Sequence, residues 1–310
     1  MPEMKPIERA QEHVLNRASV ERLERQLAWA VIRCDELEVE ELLARGVNPI
    51  THEVGGGLHC AVDNAGLSAA SGRIFASVLE ASVSQGRNLD ACGPSGQSAL
   101  MLAVLQSNPF AVRALIKAGA DPQAPGNDLF KRHPIHYIGD GPSQDESARL
   151  EVLDILLQGA AMLSCRTTEG ATALQQASIH NFPLLVKKML EMGADPLAVD
   201  KHGDNAAHTA FEGQASSQVL HVLAQYGVDM QCQNVGGFTP LHRAALRGAV
   251  AGLACLLEMG VPTGTRSVSG MTAREVAHLV RNSDIEAMFD SHDAGIAMNK
   301  MILRIRTLNP

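Results

Sequence analysis

Along most of the chain, short apolar blocks run into a glycine and then a polar break. Leu42-Leu43, Leu115-Ile116, Leu156-Leu157, Met189-Leu190 and Leu256-Leu257 each precede a glycine by two or three residues. Asn48-Pro49, Asp121-Pro122 and Asp195-Pro196 follow three of those glycines. Upstream of the leucine pairs lies a second apolar stretch, opened by Ser98, Thr172 or Thr239. Serine and threonine there are good N-caps, because the hydroxyl accepts a free N–H of the first turn. Pro240 suits the first helical position, where its preset φ helps and its missing N–H costs nothing. The glycine suits a left-handed C-cap, and Asx-Pro then starts a turn. The pattern therefore predicts pairs of short helices, the first capped at its start and the second closed by glycine. Each buried leucine contributes roughly 1.5–3 kcal/mol.

The pairs recur at a fixed step. Gly170, Gly203, Gly237 and Gly270 lead four units, at steps of 33, 34 and 33 residues. The clearest reads Gly237-Phe238-Thr239-Pro240-Leu241-His242-Arg243-Ala244-Ala245. More degenerate copies begin near Leu27-Ala28-Trp29-Ala30, at Gly96 and at His133-Pro134-Ile135-His136. This pattern resembles the ankyrin repeat, G-x-T-P-L-H-x-A-A followed by L-L-x-x-G-A-D, in about seven to eight copies over 26–290. The resemblance implies an all-α ankyrin-repeat solenoid of stacked helix–turn–helix units with projecting hairpin loops. Residues 1–25 are expected as an N-terminal capping helix, and 291–310 as a C-terminal tail or packing helix, with Asp284–Phe289 a shortened last helix.

The stretch Gly55-Gly56-Gly57-Leu58-His59-Cys60 raises the alternative of an anion cradle or an activated thiol. Laid on the repeat, Gly56 and Gly57 take the Thr-Pro places and His59 joins His136, His208 and His242. The resemblance implies that these histidines tie neighbouring loops together. Adjacent helical residues point about 100° apart, a poor geometry for a nucleophile and its base.

Two stretches break the period. Val54 stands where a leading glycine is due, 42 residues before Gly96. The extra residues are expected within 64–73, between two helices. A second insertion is expected around 139–147.

The resemblance implies a non-enzymatic protein–protein interaction scaffold, gripping a partner with its loop tips and concave face. The variable positions of the repeat hold Phe130, Arg132, Lys201, His202, Asp204, Phe238 and Arg247, with Tyr137 and His180 on nearby helix faces. Aromatic and arginine side chains are common interface anchors. The alternative is an enzyme with an atypical site in the insertions or around His59 and Cys60.

Composition narrows the setting. The formal net charge of −8 leaves no basic excess for nucleic acid. No metal or cofactor motif is present, and the six cysteines form no close pair. Reduced, mostly buried thiols are expected, with Cys165 and Cys232 as small buried residues. Neither a Sec-type signal nor a membrane span is visible. The expected form is a cytoplasmic monomer awaiting a protein partner. The Ala-rich, degenerate repeats have a bacterial character, so an effector secreted into a host cell is a second setting.

Overall fold

The computed structural model describes residues 6–50, 56–66, 68–159, 161–213 and 216–308, with side chains described between 19 and 295. Val54 and Gly55 lie outside them. Two compact units divide the chain, Met1–Met162 and Leu163–Pro310.

In the first unit helices come in pairs: α1 (Pro6–Ile32) with α2 (Glu36–Ala44), α3 (Gly57–Asn64) with α4 (Ala69–Ser84), and α5 (Ala99–Leu105) with α6 (Pro109–Lys117). The fourth pair is one 3-10 turn, Pro134–Tyr137, with α7 (Glu146–Gln158). The boundary expected at residue 25 falls inside α1, a single helix of 27 residues. Leu27, Ala28, Ala30 and Val31 near its C-terminus are buried, while Trp29 and Ile32 face solvent.

The extra residues expected as a loop over 64–73 instead lengthen a helix. α4 has 16 residues where α2 and α6 have 9. Ser68 explains this: its Oγ accepts from Ser71 N at 3.1 Å while its own N–H donates to Ser71 Oγ at 2.9 Å. That reciprocal cap starts the helix at Ala69 despite the Ser-Gly pair in its first turn. The insertion over 139–147 is a loop running into the start of α7, and α7 holds it. Arg149, fully buried, donates to the carbonyls of Asp140 (2.6 Å), Gly141 (3.3 Å) and Ser143 (2.6 Å), and to that of Ile138.

The second unit pairs α8 (Ala173–Ile179) with α9 (Pro183–Glu191), α10 (Ala206–Ala210) with α11 (Ser217–Gln225), α12 (Pro240–Arg247) with α13 (Val250–Glu258), and α14 (Ala273–Leu279) with α15 (Ser283–Leu308). Thr172, Asn205, Thr239 and Thr272 cap the four first helices, as the hydroxyl and amide side chains there predict. The shortened last helix expected at 284–289 is in fact the start of α15, which runs 26 residues and contains residue 291. Ile285 and Phe289 bury against the preceding pair.

No strand forms among the described residues; one isolated bridge joins Arg166 and Thr172. The hairpins are instead closed by a few backbone bonds each: Thr167 N to Ala171 O, Asp200 N to Asp204 O, Asn234 N to Phe238 O and Ser267 N to Met271 O, with the leading glycine N–H donating back to Thr167, Asp200, Asn234 or Ser267 O. The thiols are less buried than expected: only Cys255 is fully so, Cys165 and Cys232 are half-buried in hairpin arms, and Cys34 is exposed. Cys34 takes φ +56 at the end of α1, the place Gly248 fills with φ +66 after α12.

Candidate protein-binding surface

The histidines fix where the loops stand. In the second unit His242 accepts the Thr239 N–H on Nδ1 at 3.2 Å, and its Nε2 donates to Met271 O of the next hairpin at 3.1 Å. His208 repeats this, accepting from Asn205 N at 3.3 Å and donating to Phe238 O at 2.9 Å. Gln175 stands in the same place one unit earlier and reaches Asp204 O at 2.5 Å with its amide. In the first unit His59 Nε2 donates to Gln97 O at 3.1 Å, and His136 Nδ1 accepts the His133 N–H at 3.0 Å.

Burial pushes His208 and His242 below the ordinary histidine value of 6.5, more strongly than their carbonyl partners raise them. The unfolded chain therefore takes up these protons first. Their contribution to stability is fully present above about pH 6.5 and is lost as pH falls below it. Melting temperatures are expected to drop from pH 7.5 toward pH 5.5. His242→Gln, which keeps the amide donor already used at Gln175, is expected to flatten that slope.

The tied hairpins of the second unit carry an edge of linked tips. Lys201 N donates to Glu169 O, Val235 N to His202 O, and Val268 N to Gly236 O. Lys201, Val235 and Val268 all sit two residues before a leading glycine, and the two valines are 75% and 79% exposed. A second row lies at the ends of the first helices. Leu246 and Arg247 of α12 match Leu279 and Val280 in the α14 pair, and all four are exposed. α12 and α14 pack side by side, so this row is contiguous.

The comparisons bear on this arrangement. The family model for ankyrin repeats (many copies) matches residues 214–257, and that for the single ankyrin repeat matches 95–127. The chain is similar to the B-cell lymphoma 3 protein homolog of Mus musculus, 32% identical over 200 residues, 64% of this chain and 44% of that protein. It is also similar to protein PhlB of Serratia liquefaciens, 37% identical over 113 residues, 36% of this chain and 49% of that protein. Among solved structures, the ankyrin repeat domain of Bcl-3 matches with a TM-score of 0.56 and 28% identity, over 75% of this chain and 97% of that one. The chain is an ankyrin-repeat protein. It spans less than half the length of the B-cell lymphoma 3 homolog it matches.

On this ankyrin framework the sequence-expected residues separate. Lys201, His202 and Arg247 are exposed, as is His180 at the end of α8. Glu169 lies 3.9 Å from the His202 imidazole. Phe238 is half-buried, its ring edge-on to His242 at 5.5 Å. Asp204 is not at the surface: it is 3% exposed, accepting from Asn234 Nδ2 at 2.7 Å and pairing with Arg243 at 2.5 Å. Its position varies in the repeat, but here it carries a structural ion pair under the tips.

In the first unit Phe130 is exposed and Arg132 half-buried, held by Asp128 at 2.9 Å and Asp140 at 3.2 Å. The Arg132 guanidinium lies 4.3 Å from the Tyr137 ring centre and 5.9 Å from that of Phe130. Tyr137 itself is only 1% exposed and donates to Asp128, so it supports Arg132 from beneath. Leu129, 85% exposed beside Phe130, is the outermost apolar group of that loop.

The thiol alternative lacks the chemistry it needs. Burial, helped by Asp63, pushes the Cys60 thiol up to about 11. A thiol that stays protonated at neutral pH is a poor nucleophile. His59, its neighbour, is committed to the Gln97 carbonyl.

Ankyrin-repeat relatives and the described geometry support a protein-interaction scaffold. No described helix is long and apolar enough to cross a membrane.

Proposed function

We propose that this chain is a non-enzymatic binder that grips another protein with the tips and first-helix ends of the Leu163–Pro310 unit. Val235 and Val268 supply the apolar contact at the tips, with Lys201 and His202 beside them. Leu246, Leu279 and Val280 supply the floor, and Arg247 and His180 its polar margin. The carrying observation is repetition: exposed apolar side chains occur in the same register of successive repeats, in two rows. Isolated exposed leucines or valines are ordinary on a protein surface, whereas aligned ones form a patch. Phe130, Leu129 and Arg132 form a separate, smaller contact point in the first unit. The cytosol of its own cell or a host cell entered by secretion would both suit such a binder, and the identity of the bound protein decides between them.

Affinity capture followed by quantitative binding tests this reading. Val235→Asp with Val268→Asp should weaken a captured partner by more than about 2 kcal/mol, since truncated or charged anchors at an interface centre cost that much. The melting temperature should stay nearly unchanged, because both side chains are exposed. Undiminished binding in the double variant would move the interface elsewhere.

A further inference from the structure

The charges of the Leu163–Pro310 unit are spread unevenly. Residues 163–295 hold 13 acidic and 9 basic side chains. Most of the cations are engaged. Arg243 pairs with Asp204, Arg266 with Glu275, Arg274 with Asp290 and Asp293, and Lys187 with Glu191. Arg166 donates to the Gly170 and Val199 carbonyls. Lys201, Arg247 and Arg281 are exposed and make no ion pair among the described residues. All three stand on the two apolar rows: Lys201 in the tip register of Val235 and Val268, Arg247 beside Leu246, and Arg281 directly after Val280. The acids lie mainly on the second helices α9, α13 and α15 and in the turns after α9 and α11. On the rows themselves Glu169 faces His202, Asp204 is buried against Arg243, and Glu212, exposed, takes the Leu246 place one repeat earlier.

On the reading that these rows bind protein, we propose that the partner contributes an acidic amphipathic helix. Its apolar side chains lie on the valine and leucine rows, and its carboxylates meet Arg247 and Arg281. An unpaired guanidinium offers a carboxylate two parallel N–H donors, a stronger and more directional contact than a neutral hydrogen bond. The spacing suits one helix. Arg247 and Arg281 follow the ends of α12 and α14, which pack side by side, so about 8–10 Å separates the two axes. Side chains at i and i+7 of a helix share a face and lie about 10 Å apart, so two carboxylates on one helix reach both arginines. Lys201 gives the tip row a cation of its own. Within a chain of net charge −8 these free cations favour acidic segments and turn basic ones away. A nucleic-acid backbone would leave Leu246, Leu279, Val280 and the two valines without apolar contacts.

Selection from a random peptide library displayed on phage, against the full chain, tests this, with recovered peptides measured by fluorescence anisotropy. The recovered peptides should set Asp or Glu among Leu, Ile or Phe at helical spacing. Arg247→Glu with Arg281→Glu should raise their Kd about tenfold or more. The same peptides with Lys in place of those carboxylates should bind the reversed variant and not the parent, which also shows that the variant is folded. An arginine in the last turn of a helix complements the helix dipole. If Arg247 and Arg281 do only that, the reversal lowers the melting temperature and leaves Kd unchanged, and the acidic-helix proposal falls. Peptides that are lost in Val235→Asp with Val268→Asp yet ignore the arginine reversal overturn the proposal and leave the binding surface standing. Peptides that ignore both pairs of substitutions count against the surface itself. An empty selection, or recovered peptides without acidic residues, overturns the proposal. So does arginine-dependent binding of phosphatidylserine vesicles or duplex DNA in place of acidic peptides.

Discussion

Arg149→Leu should destabilise the Met1–Met162 unit by about 3–5 kcal/mol, the range for removing one partner from a buried charged network. The guanidinium is fully buried and bonds four carbonyls of one loop, those of Ile138, Asp140, Gly141 and Ser143. Leucine fills similar volume but donates nothing, so those carbonyls lose their partners inside the protein. Loss of the loop would also release Asp140 from Arg132, 3.2 Å away, and so loosen the Phe130 tip. Arg149→Lys should recover only part of the loss, since one ammonium cannot span acceptors spread from 138 to 143. Urea titration of the isolated variants checks this; a midpoint unchanged in Arg149→Leu would mean the loop holds itself.

Gly237→Ala should cost about 2–5 kcal/mol, from a left-handed residue with a side chain and a forced contact. Its φ is +71, and an added Cβ would lie 2.6 Å from Val268 N. The neighbour is backbone, in the hairpin that donates to Gly236 O, so it cannot rotate away. Gly260 is the control. It has φ +75 but nothing within 4 Å, so Gly260→Ala should show only the conformational cost of about 1–2 kcal/mol. Thermal melts of the two variants should differ accordingly; equal losses would show that hairpin packing contributes nothing at Gly237.

These two positions show what the sequence makes legible. Gly237 announces itself through the repeat period, and the caps at Thr172, Thr239 and Thr272 follow from the side chain at each helix start. Those local signals place the helix pairs from Ala173 onward to within a few residues. Arg149 gives no such signal. Within Glu146–Gln158 an arginine reads as a solvated charge, and its burial depends on carbonyls that only the folded insertion assembles. α4 was hidden for a related reason: Ser-Gly looks like a loop, yet Ser68 and Ser71 cap each other. Among the expected binding residues, Asp204 and Tyr137 are buried, which repeat position alone does not reveal. Arg243, 39 residues downstream, draws Asp204 inward, and Asp128 does the same for the Tyr137 hydroxyl. Val235 and Val268 obey the same two-before-glycine rule as Lys201. A search weighted toward aromatic and charged side chains passes them over.

On the proposed reading, the aligned tips of the second unit touch a protein partner. A photo-reactive phenylalanine analogue placed at position 235 in the living cell tests it most directly, with the same analogue at exposed Met192 beyond α9 as the reference. Crosslinking of a discrete protein from position 235, absent from 192 and suppressed by Val268→Asp, is the expected result. Crosslinking of that same protein from 192 with none from 235 would contradict it.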